Sequence, residues 1–308
     1  MNIKNQPLSI IYHKKYDIPV PKIHSFVGSK FSDLFHYLQK NYASSLNVIT
    51  PSSAHLNKLK QVHQIDYINK VGENNLTKDY LKLINLPWSD TLRERSYLET
   101  EGTLLTAKEA LKNKIACHVG GGTHHAFFSY DYGFCVFSDL AYTAINLIEE
   151  KLVKNVLILD FDVHQGDGTI DICQNHSSIY TCSVHSNESF PFDKKNGWMD
   201  IGLPVNISDG EYLKIIEETL KKIKAQVTPD IVLYDAGVDV YENDKLGNFK
   251  ISLKGIHKRD NMVLDHFLNR NIPVATVIGG GYSKNDSELA ERHSIIFKNA
   301  IQFLMTTI

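Results

Sequence analysis

Cysteine is scarce. Cys117, Cys135, Cys173 and Cys182 are the only four in 308 residues, with no C-x-x-C pair and no close cluster. That spacing excludes a Cys-rich structural zinc site and a disulfide framework, and it fits a reducing compartment. No apolar run approaches the ~20 residues needed to cross a bilayer. Met1 to Ile11 holds a single Lys and no apolar stretch of signal-peptide type, so a cytoplasmic protein is expected. The formal net charge is only -2 and no basic stripe stands out, so direct nucleic-acid binding is not expected. No internal repeat, low-complexity tract or Pro/Gly-rich linker divides the chain. One domain over residues 1–308 is therefore expected, while oligomeric state stays open.

Hydrophobic residues make up 43% of the chain and charged residues 22%, as in ordinary globular proteins. Short β-branched apolar runs read as buried strands: Leu8–Tyr12, Ile115–Val119, Phe134–Phe137, Val156–Phe161, Ile179–Val184, Ile231–Ala236 and Val274–Ile278. They are apolar on both faces, as central parallel strands are. Helical periodicity appears over Thr91–Leu111, Leu253–Leu268 and Ser287–Leu304, and a capping-box pair, Ser208 and Glu211, opens another helix. Alternating strands and helices predict an α/β fold with a mostly parallel central sheet flanked by helices. Ligands of such sheets bind beyond the carboxyl ends of the strands, so chemistry-bearing residues should follow the apolar runs.

Four motifs do. After Val156–Leu159 comes Asp160-Phe161-Asp162-Val163-His164-Gln165-Gly166-Asp167. Strand alternation puts Asp160, Asp162 and His164 on one side. Two carboxylates and an imidazole converging there call for a cation, and zinc accepts both donor types. The plain alternative, a helix-capping turn, needs one acid rather than three polar groups in phase. After Ile115–Val119 comes Gly120-Gly121-Gly122-Thr123-His124-His125; its bland reading is a flexible loop with incidental histidines. After Ile231–Leu233 comes Tyr234-Asp235-Ala236-Gly237-Val238-Asp239, where Asp239 is a candidate third ligand or merely a helix cap. After Val274–Ile278 comes Gly279-Gly280-Gly281-Tyr282, which lacks the spacing of a phosphate-binding loop but presents a tyrosine able to serve an oxyanion.

In chain order, Gly120–His125, Asp160–Asp167, Gly237–Asp239 and Gly279–Tyr282, the four motifs resemble those of the histone deacetylase family, and the likeness runs from Tyr12-His13 and Tyr16 to the last helix. His164-Gln165 and Phe190-Pro191-Phe192 look most like the class IV branch and its bacterial relatives. The resemblance implies an arginase/deacetylase-like fold and one zinc ion per chain, held by Asp162, His164 and Asp239. It implies catalytic roles for His124, His125 and Tyr282, with Asp160 behind His124 and Asp167 behind His125. Gly133, Phe134, Phe190 and Gly280 would line a substrate tunnel. Asp160, Asp162, His164, Ser183 and Val184 would hold a structural K+ or Na+. The activity implied is removal of an acyl group from a lysine of a protein or peptide, with acetylated polyamines or other small amides as the alternative substrates. A two-manganese ureohydrolase has a tighter D-x-H-x-D spacing than Asp162-x-His164-x-x-Asp167, and a non-catalytic binding protein would be expected to have lost a ligand or the tyrosine. The loops Ile23–Lys30 and Pro87–Arg95 are expected to shape the tunnel mouth, and Glu73, Asp90, Glu94 and Glu188 are candidate acidic gatekeepers for a cationic substrate.

Overall fold

Eight short strands, six of them buried apolar stretches, pair side by side in a computed structural model that describes residues 6–306. In chain order the elements are β1 (Leu8–Ile11), α1 (Lys30–Tyr42), β2 (Leu46–Ile49), α2 (Leu56–Leu59), α3 (Ile65–Gly72), α4 (Lys78–Ile84), α5 (Asp90–Asn113), β3 (Ile115–His118), α6 (Asp139–Glu149), β4 (Val156–Asp160), α7 (Asp167–Cys173), β5 (Ile179–Ser186), β6 (Met199–Leu203), α8 (Asp209–Gln226), β7 (Ile231–Asp235), α9 (Leu253–Leu268), β8 (Val274–Val277) and α10 (Asp286–Thr306). The strands form one sheet in the order β2-β1-β3-β8-β7-β4-β5-β6. Every pairing is parallel, with registers such as Asp160 opposite both Ser183 and Asp235. The expected α/β architecture is present as a single-domain, all-parallel sheet flanked by helices.

The central strands β3, β4, β7 and β8 are buried along their whole length, which explains their uninterrupted apolar runs. Helix α5 buries Leu92, Leu98, Leu104, Ala107 and Ala110 while keeping most of its charges outside. Glu211 accepts from the Ser208 backbone N–H at 3.2 Å and so closes the start of α8. All four cysteines are buried and free. Among the described residues, no helix is long and apolar enough to cross a membrane.

One expected strand is absent. Phe134–Phe137 is irregular, because Gly133 and Phe134 both take positive φ, 50° and 70°. Its first backbone hydrogen bonds go to the end of α4, from Gly133 N–H to Leu83 O (3.1 Å) and from Phe134 N–H to Ile84 O (2.8 Å). The segment reads as apolar because it packs as a buried wall, not because it joins the sheet. Conversely, β2 and β6 are strands that the apolar pattern does not predict: both are partly exposed, so neither carries a continuous apolar run.

Candidate metal centre and active site

The four strands that carry the motifs, β3, β8, β7 and β4, are neighbours at the middle of the sheet. Their carboxyl ends therefore deliver all four motifs to one place, as ligand sites of parallel sheets require.

The loop after β3 is held by one buried carboxylate. Asp139, at the start of α6, accepts from Gly122 N–H (3.0 Å), Thr123 N–H (2.8 Å) and the hydroxyls of Thr123 (2.8 Å) and Thr103 (2.6 Å). Thr103 in turn lies 2.9 Å from His118 Nδ1, whose Nε2 accepts from the Tyr16 hydroxyl at 2.7 Å. Gly122 has φ +84°, and a Cβ there would stand 2.5 Å from Gly279 Cα, so only glycine lets these two loops touch. The result fixes His124 and His125. His124 Nδ1 donates to Asp160 Oδ2 at 2.8 Å, and His125 Nδ1 donates to Asp167 Oδ1 at 2.6 Å. Both imidazoles thus turn Nε2 away from their carboxylates.

Asp162, His164 and Asp239 bring one donor atom each within 4.8 Å of one another, all buried. His164 Nδ1 lies 3.1 Å from Asp162 Oδ1 and 2.9 Å from Asp239 Oδ2. A backbone amide pins each carboxylate: Gly280 N–H donates to Asp162 Oδ2 (2.7 Å) and Val163 N–H to Asp239 Oδ1 (2.9 Å). A Cβ on Gly280 would fall 2.2 Å from Asp239 Oδ2. The electrostatics call for a positive charge here. Burial and the neighbouring Asp162 charge push the Asp239 carboxyl up to about 7. Burial works against a charged His164, yet the hydrogen bonds and charges of Asp162 and Asp239 outweigh it and raise it to about 10. Two oxygens and one nitrogen with room for further ligands is the donor set of a catalytic zinc site, and these residues fit it.

The tandem histidines differ. Burial opposes charge on both, but Asp160 and Asp162 hold His124 well above the ordinary range. Burial and the adjacent His124 charge bring His125 down to about 4, more than Asp167 recovers. Burial, then Asp239 and Asp162, raise Tyr282 well above 10, so its hydroxyl stays a donor. Asp235, which the sequence showed but did not single out, is fully buried beside His124 and Asp160; its Oδ2 has no hydrogen-bond partner, and burial raises it well above the usual carboxylate range.

A largely apolar cavity of about 590 Å³ opens above these groups, with Gly133, Phe134, Phe190, His125, His164 and Tyr282 in its wall. Phe190 packs edge-on to His125 with ring centroids 4.8 Å apart, and Phe134 lies 6.0 Å from Tyr282. Gly280, expected in the tunnel, lines a separate inner space instead. The mouth is walled by Lys82, Leu83 and Asn85 around the end of α4 rather than by residues 87–95. The residues of Ile23–Lys30 border a different groove, and Lys30 faces the inner space. Of the four candidate gatekeepers only Glu188 reaches the cavity; Glu94 pairs with Lys15. Of the remaining expected cation ligands, Ser183 stands beside Asp160 in the β4–β5 register, with its hydroxyl 2.9 Å from His185 Nδ1, and Val184 follows it, buried. Asp139 and Asp244 had no signal in the sequence, and Lys30 and Arg95 only that of lying in the expected mouth loops, since each reaches the site from outside the four motifs.

The histone deacetylase domain family matches residues 24–296. An uncharacterized protein of Picosynechococcus is 39% identical over 94% of this chain and 97% of its own length. Histone deacetylase 2 of Arabidopsis thaliana is 28% identical over 92% of this chain and 76% of its own. The acetoin utilization protein AcuC of Staphylococcus xylosus is 28% identical over 69% and 60%. Among solved structures, an HDAC homolog complexed with SAHA superposes with a TM-score of 0.80 at 25% identity, covering 96% of this chain and 84% of the other. An HDAC homolog from Aquifex aeolicus, 23% identical, shares the fold with a TM-score of 0.77 over 98% and 89%.

Proposed function

The chain belongs to the histone deacetylase family, and from that premise we propose that it is a zinc-dependent deacylase, hydrolysing the amide of an acyl-lysine to a free amine and a carboxylate. One observation carries the reading: the buried Asp162–His164–Asp239 cluster stands beside two His–Asp pairs and Tyr282 at the base of an apolar cavity. A single zinc ion held by Asp162, His164 and Asp239 would supply Lewis acidity to the amide carbonyl and to water.

The chain's own groups do the rest. The walls of Phe134 and Phe190 suit the apolar stem of a lysine. His125, neutral near pH 7, accepts the proton of the attacking water at Nε2, while Asp167 fixes its tautomer. As the C–N bond breaks, that proton passes to the leaving amine. His124, held charged by Asp160 and Asp162, places positive charge beside the reacting centre. The Tyr282 hydroxyl donates to the developing oxyanion. The neighbourhood of Asp160, Asp162, His164, Ser183 and Val184 would hold a structural K+ or Na+, a reading supported by the β4–β5 register.

An acetylated polyamine is the second reading, favoured by Glu188 in the cavity wall, although Lys82 offsets its charge there. A panel of acetyl-lysine peptides and acetylated polyamines, run on protein of measured zinc content, tests both. Turnover of peptides supports the first reading, turnover of polyamines alone supports the second, and hydrolysis of neither by zinc-loaded protein overturns the proposal.

A further inference from the structure

Beside Tyr282 and the tandem histidines lies a small inner space of about 30 Å³, which shares His125, Gly133, Phe134 and Tyr282 with the outer cavity. On the deacylase reading the outer cavity takes the lysine stem, which leaves this inner space, past His125 and Tyr282, for the acyl group. Two buried cations line it, Lys30 and Arg95, only 5% and 4% exposed. The Lys30 ammonium donates to Gly279 O at 3.0 Å and pairs with no carboxylate among the described residues. Arg95 donates to Glu99 Oε1 at 2.7 Å, and that same oxygen also accepts from Gly121 N–H at 3.0 Å. The Arg95 Nε–H has no hydrogen-bond partner among the described residues. Phe31 lies between the two cations, 4.4 Å from the Arg95 guanidinium and 5.4 Å from Lys30 Nζ.

Two cations line this space and only Arg95 pairs with a carboxylate, Glu99, which leaves a positive surplus and an unsatisfied donor. An apolar acyl tail would leave that donor unpaired, at a cost; a carboxylate would satisfy it. At about 30 Å³, against about 590 Å³ for the outer cavity, the chamber has room only for a short acyl group. A long apolar chain has no room in it.

We propose that this chamber receives a short acyl group ending in a carboxylate, with malonyl as the type, and that Lys30 and Arg95 select it. The inference rests on the deacylase reading above and names its substrate class. Hydrolysis proceeds as for any amide: the C–N bond breaks, water oxygen joins the acyl carbon, the amine takes a proton, and the free dicarboxylate leaves. Burial and the Arg95 charge lower Lys30 only to about 8, so it still carries its charge at neutral pH.

The test compares kcat/KM for peptides bearing malonyl-, isovaleryl- and acetyl-lysine, on zinc-loaded full-length protein. Isovaleryl matches malonyl in shape and lacks the charge. Malonyl should exceed isovaleryl by about tenfold or more, the worth of one or two charge-assisted hydrogen bonds. Lys30→Met should erase or reverse that ratio, and Lys30→Arg should restore it. If Lys30→Met does not fold, wild-type protein still decides, because malonate should then inhibit deacetylation at lower concentration than isovalerate. Equal or better turnover of isovaleryl by wild type, with acetyl turned over, overturns the inference and leaves the deacylase reading standing. No turnover of any of the three overturns that reading and the inference with it.

Discussion

Arg292 and Asp244 form a fully buried ion pair, Nη1 to Oδ2 2.8 Å, that holds the backbone of Tyr282 from both sides. The same Asp244 oxygen accepts the Tyr282 N–H at 2.8 Å, and Arg292 Nη2 donates to the Tyr282 carbonyl at 3.3 Å. A tyrosine on a run of three glycines would otherwise have little to fix its direction. Arg292→Met leaves the Asp244 carboxylate buried without its partner, and should cost about 3–5 kcal/mol in urea unfolding. Asp244→Asn keeps an acceptor for Tyr282 N–H and should fold, with kcat falling more than KM rises. A variant with loss confined to KM would show that the pair does not aim the tyrosine.

Tyr282 itself should matter to the rate and not to the fold. Tyr282→Phe removes one hydroxyl and should keep zinc content and melting temperature while kcat drops about 100- to 1000-fold. Near wild-type turnover of an unactivated amide would end the oxyanion assignment.

Zinc should be bound once per chain. Asp162→Asn removes the charge at the centre of the cluster while retaining an acceptor for Gly280 N–H. The expected result is loss of metal and activity together, with a protein that still folds. Stripping the wild type with a chelator should lower its melting temperature, and zinc should restore it, because binding to the folded state alone stabilises that state. Full occupancy in the Asn variant would remove Asp162 from the ligand set.

The tandem histidines should be unequal. His125 faces both the outer cavity and the inner chamber, whereas His124 lines the chamber alone. Burial and its charged neighbour also keep His125 neutral and able to accept a proton at pH 7. His125→Ala should be nearly inactive, and His124→Ala should retain more activity with an altered pH profile. Equal residual rates with unchanged profiles would deny either a proton-transfer role; the reverse order would exchange the two.

Stability should fall in mild acid through a histidine remote from the cluster. His63 donates from Nδ1 to Phe127 O at 2.9 Å and accepts at Nε2 from Ser138 N–H at 3.0 Å, so both nitrogens are committed to the neutral form. Burial lowers it to about 4, against 6.5 when exposed. Between those values the unfolded chain binds more protons, so stability rises with pH across the window and is lost as pH falls from 6.5 towards 4. The full effect is on the order of 3 kcal/mol. Imidazole NMR should show His63 neutral at pH 5, with its proton on Nδ1; a midpoint near 6.5 would refute the assignment.

Six of the eight strands, their parallel sheet and the four motifs were legible from the chain alone. Buried parallel strands must be apolar on both faces, and chemistry at their ends must break that pattern abruptly, as at Asp160, Asp239 and Tyr282. Local pattern could not tell a buried wall from a strand, and Phe134–Phe137 was misread because its backbone partners, Leu83 and Ile84, lie some fifty residues away in sequence. Nor could it reach what depends on packing between distant elements. Asp139 clamping the histidine loop, Arg292 and Asp244 aiming Tyr282, and Lys30 and Arg95 charging the inner chamber come from α6, α10, the segment after β7, α1 and α5. A polar residue on a helix looks alike in sequence whether it faces water or a buried site. Only the tertiary structure decides which, by setting where its charge loses solvent and what it must then pair with.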